Sequence, residues 1–92
     1  MNTLYFDFEK IATIRDFYTQ MAEQLELPDY FGQNLDALYD VLTGYLELPL
    51  MLYFNNMSEK KLSDFKDLIT TLDDAEKETK GQFTYDYSAE IG

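Results

Sequence analysis

Five consecutive apolar residues, Leu50-Met51-Leu52-Tyr53-Phe54, stand between Pro49 and the pair Asn55-Asn56. An unbroken run of that length, bounded by turn residues, suits a strand buried on both faces, as in a parallel sheet. Parallel strands need crossovers, and the flanking sequence supplies them. Leu4 to Phe8 alternates, with Leu4, Phe6 and Phe8 on one face and Tyr5 and Asp7 on the other. Phe83 to Tyr87 alternates as a final strand behind Gly81. Thr13 and Asp16 have capping-box spacing, and Ile14, Phe17, Tyr18, Met21 and Leu25 then follow a helical period that ends before Pro28. Ser58 caps another periodic segment, through Leu62, Phe65, Leu68, Ile69 and Leu72 to Lys80. That segment reads as one helix or as two, with Thr71 and Asp74 as a restart. Strands separated by helices imply right-handed crossovers. The expectation is α/β: a three-stranded parallel sheet packed with three to four helices, in a single domain spanning residues 1–92.

Between the first two strands lies the most informative stretch, LPDYFGQNLDALYDVLTGY from Leu27 to Tyr45. Pro28 bars Leu27 from continuing a helix, and Gly32 offers a tight loop its free φ. Asn34 is a good N-cap, and Gly44 falls where a left-handed C-terminal cap belongs. At roughly 100° per residue, Leu35, Leu38, Val41 and Leu42 gather on one side of the helix. Asp36, Tyr39, Asp40 and Thr43 gather on the other. No lysine or arginine occurs between Arg15 and Lys60, so nothing nearby in sequence relieves the repulsion between Asp36 and Asp40. A pair of aspartates four apart is ordinary on a solvated helix face. Its company is less ordinary, because Tyr30, Tyr39 and Tyr45 flank it, and tyrosines beside charges are typical interface anchors.

The formal net charge of −11 argues against nucleic acid as a ligand, since phosphate binding needs a basic footprint. A basic partner is the natural complement. With no cysteine and no histidine, the thiolate nucleophile, the zinc–sulfur site and the usual general base are all missing. Two aspartates on one short helix make a poor glycosidase cleft, and there is no calcium-loop pattern. Neither a signal peptide nor a membrane span is legible. The expectation is a cytoplasmic protein with no enzymatic activity, no cofactor and no membrane or nucleic-acid partner.

The run LPDYFGQNLDALYDVLTGYLELPL, from Leu27 to Leu50, resembles the barstar family of intracellular inhibitors of barnase-type ribonucleases. The pattern L-P-x-Y-[YF]-G-x-N-L-D-A-L-x-D-x-L-T-G is long and specific, and the element order matches over essentially the whole chain, with similarity weakening beyond Pro49. The resemblance implies a barstar-like fold and a monomer when free. It also implies a basic secreted ribonuclease as partner, its active site blocked by an acidic helix and the loop before it. Carried over by position, Asp40 is the central phosphate mimic and Asp36 the second acidic contact. Tyr30 packs on the enzyme's histidine, Gly32 and Asn34 shape the loop, and Tyr39, Thr43 and Tyr45 correspond to further contacts. A late acidic contact falls on Glu76, or on Asp74 when the count runs from the apolar positions of the last helix. Tyr39 and Tyr45 stand where the family's best-known inhibitor has tryptophans, Phe31 replaces a tyrosine, and that inhibitor's two cysteines are absent. The alternative is an immunity or regulatory protein for a basic partner that is not a ribonuclease.

Overall fold

Phe6, Leu52, Phe54 and Phe83 share one face of a parallel sheet, and the core is built on that face. In the computed structural model, which describes residues 2–27 and 32–89, three strands lie in chain order: β1 (Asn2–Asp7), β2 (Leu50–Asn55) and β3 (Phe83–Tyr87). The β1–β2 crossover carries α1 (Ile14–Leu25), α2 (Leu35–Asp40) and a π turn (Val41–Tyr45). The β2–β3 crossover carries α3 (Glu59–Asp64) and α4 (Lys66–Glu78). This is the expected α/β fold, with four α-helices.

Apolar alternation explains the core. Phe6, Phe8, Phe17 and Phe54 are fully buried, and their rings interlock, with Phe8 4.9 Å from Phe54 and Phe17 edge-on to Phe54. Such tilted and edge-to-face pairs add about 0.5–1.5 kcal/mol each beyond burial. The opposite face of the sheet departs from expectation. Met51 and Tyr53 are half-buried and Tyr5 is 62% exposed, because the helices cover only the phenylalanine side. β2 is therefore buried fully on one face and partly on the other.

Local signals set most helix ends. Thr13 and Asp16 form the complete capping box, with the Thr13 hydroxyl accepting from the Asp16 N–H and the Asp16 carboxylate accepting from the Thr13 N–H. Those bonds to the charged form, from the backbone of Thr13 and then Ala12, hold the Asp16 carboxyl below its usual range. The Ser58 hydroxyl caps α3 by accepting from the Lys61 N–H. The long final segment is two helices, and they part at Phe65 (φ −105°, ψ 27°) rather than at Thr71, whose hydroxyl merely donates back to the Asp67 carbonyl. The kink delivers the Phe65 ring edge-on to Phe8 at 5.1 Å while Leu68, Leu72 and Ala75 stay buried. α4 ends where Gly81, at φ +83°, donates its N–H back to Glu76.

Candidate functional site

Six residues are too few for a self-sufficient helix, so α2 depends on its cap and its packing. Asn34 has extended backbone (φ −151°, ψ 167°), and its Oδ1 accepts from the Ala37 N–H at 2.8 Å. Gly32 serves this cap through its size. A Cβ there would lie 3.1 Å from Asn34 Nδ2 and 3.4 Å from the Ala37 Cβ, pressing on the amide that caps the helix. On the inner side, Leu38 and Leu42 are fully buried, with Leu35 packed against the same core. Asp36 and Asp40 are exposed on the outer side.

The helix does not stop at Gly44. It widens into the π turn, closed by the Leu46 N–H donating to the Val41 carbonyl at 3.0 Å. Gly44 has no positive φ, so the expected left-handed cap is absent. As the ladder shifts from i−4 to i−5, the Thr43 hydroxyl donates to the Tyr39 carbonyl at 2.8 Å. Thr43 is thereby half-buried and turned back on its own helix, whereas Tyr45, at the end of the turn, is 56% exposed. Single-turn π segments of this kind are frequent at functional sites.

Tyr39 is half-buried and packs on the core, at the seam between α2 and α4, rather than standing free on the outer face. Its phenol is held above its ordinary pKa, first by desolvation and then by the nearby charges of Glu78, Asp74 and Asp40. The acidic front therefore has a second wall. Asp74 and Glu78 are four apart on α4 and act on the same phenol as Asp40 of α2. Glu76 is half-buried and acts instead on Tyr85 of β3, whose hydroxyl donates to Asp73 at 2.5 Å. Of the two late acids weighed from sequence, Asp74 is the one beside α2, and Glu78 joins it without having been singled out. The i,i+4 spacing of Asp74 and Glu78 was legible; which way that face of α4 points was not. Asp36, Asp40, Asp74 and Glu78 are exposed, and among the described residues the one salt bridge, Lys60–Asp64, involves none of them. Tyr30 lies outside the described residues. The described helices include none long and apolar enough to cross a membrane.

Comparison with known proteins places the chain in a family. Residues 1–88 match the family described as Barstar (barnase inhibitor). The chain is 39% identical over 80 residues to the Bacillus subtilis (strain 168) protein named "Putative ribonuclease inhibitor YrdF", an alignment covering 84% of this chain and 85% of that protein. With nearly its whole length matched, this chain belongs to the barstar family.

Proposed function

We propose that the chain is a stoichiometric protein inhibitor of a basic, barnase-type ribonuclease, which it blocks with α2 and the loop before it. The observation that carries this reading is the exposed pair Asp36 and Asp40 on a helix held in place by its cap and its buried back, with no cation paired to either among the described residues. An enzyme that cleaves RNA holds cationic groups where phosphates bind, and carboxylates presented on a rigid helix complement them without a cleavable bond. Asp40 takes the central position and Asp36 the second. Asp74 and Glu78 extend the acidic surface across the α2–α4 seam, a better placement for the family's late acidic contact than Glu76. Tyr45 is an exposed aromatic anchor at the rim, and Tyr30, Gly32 and Asn34 are the further contacts that the family pattern assigns. Family membership and the name of the Bacillus subtilis relative support the ribonuclease as target.

Inhibition of this kind has a definite end point. Titrating the chain into barnase while following RNA hydrolysis should abolish activity at one inhibitor per enzyme, with no recovery over time. Residual hydrolysis that persists at severalfold excess would reject barnase as the target.

A further inference from the structure

A second concavity lies beside the acidic front. α1, α2 and α4 bring their N-terminal ends together around a cavity of about 340 Å³, at the small end of the range for ligand pockets. Its floor is apolar and aromatic: Ile14 and Tyr18 from α1, Leu35 from α2, and Phe65 with Leu68 from the α3–α4 junction. Its rim carries two exposed carboxylates, Asp64 and Asp67.

We propose that this groove is a second docking subsite, taking an arginine side chain of the same basic ribonuclease; the proposal rests on the inhibitor reading above. An apolar floor with a carboxylate rim is the complement of a long cationic side chain, which buries its aliphatic stem and keeps its charge at the edge. Arginine fits better than lysine, because a planar guanidinium can fork between two carboxylates. The Lys61 ammonium lies 5.9 Å from the Phe65 ring centre, so this edge of the groove already tolerates a cation. The rim is available. Lys60 pairs with Asp64 at 2.7 Å, but the two side chains are 83% and 50% exposed, so the pair is readily exchanged. Asp67 has no salt bridge among the described residues. The groove also shares α2 with the front. Leu35 on its floor sits between Asn34, the cap of α2, and Asp36, so an enzyme seated on α2 is one helical turn from the cavity.

The test is binding to barnase by surface plasmon resonance, with three single variants. Asp67→Asn removes a rim charge. Ala12→Trp fills the groove from an exposed lining position. Glu23→Gln removes the same charge from an exposed site on α1 that does not line the groove. Asp67→Asn and Ala12→Trp should each weaken binding about tenfold, mainly through faster dissociation, while Glu23→Gln stays within about twofold. Asp64→Asn replaces either groove variant if its thermal melt is lowered. If the groove variants bind like Glu23→Gln while Asp40→Ala loses binding, the subsite is overturned and the inhibitor reading stands. If the unmodified chain does not bind barnase, both fall together.

Discussion

Replacing Asn34 by alanine isolates the contribution of one hydrogen bond to the acidic front. Asn34 is exposed, so the change removes little packing; what it removes is the 2.8 Å bond from the Ala37 N–H to Oδ1. Losing an N-cap of this type costs about 1 kcal/mol. In a domain of 92 residues, a loss of that size lowers the melting temperature by roughly 4–8 °C. The effect should be local in origin, because α2 has only six residues and no reserve of ladder hydrogen bonds. Asn34→Ser retains an acceptor and should recover most of the loss. Gly32→Ala should resemble a weaker Asn34→Ala, since the new Cβ would meet the Asn34 amide at 3.1 Å. Differential scanning calorimetry of the free variants measures all three. Equal melting temperatures for the alanine and serine variants would show that the side-chain cap is not what holds α2.

Leu38→Ala empties a fully buried site behind Asp36 and Asp40 and should cost about 2–5 kcal/mol by urea denaturation; a loss below about 1 kcal/mol would mean that α2 is not anchored through its inner face. Tyr85 is held above the ordinary phenol value of 10.0, first by burial and then by its bond to Asp73, so the folded state keeps a proton that the unfolded chain gives up. Its contribution is therefore complete below pH 10 and is lost as pH rises above that value. Tyr85→Phe should flatten the alkaline fall in stability, and an unchanged profile would refute the role of this phenol. Association with a basic ribonuclease should slow as salt is added, because screening shortens the field of the acidic front to about 8 Å at physiological ionic strength; a salt-independent association rate contradicts electrostatic steering.

Most of the local features read correctly from sequence have their partners a few residues away. Thr13 with Asp16, Asn34 and Ser58 each cap a helix, as their spacing indicates, because a cap is satisfied within its own first turn. The parallel sheet followed from alternation and from the apolar run of β2. The misreadings all depend on tertiary packing. Gly44 lacks its left-handed cap because the chain widens into a π turn as Leu42 buries, and no local signal announces that. Phe65 breaks the last helix because its ring is needed against Phe8, a residue far away in sequence. Tyr39 has the periodicity of an outward-facing residue, yet it is half-buried because α4 lies alongside. The same neighbour sets Asp74 near Tyr39 of α2 and Glu76 near Tyr85 of β3, a difference that counting along the chain could not show.

The central claim is that Asp40 acts as a specific phosphate mimic rather than as one charge among many. Asp40→Ala and Glu47→Ala remove the same formal charge from exposed positions, one on α2 and the other beyond the π turn. If Asp40 enters a site lined with cations, its loss leaves them desolvated and unpaired. That costs about 2–5 kcal/mol, mostly as faster dissociation, which is roughly thirtyfold to several-thousandfold in affinity. Glu47→Ala should slow association modestly and leave dissociation nearly unchanged. The direct measurement is both rate constants for both variants against barnase, by surface plasmon resonance at one ionic strength. A large increase in dissociation rate confined to Asp40→Ala is the predicted result, and equal, small effects from the two variants would contradict it.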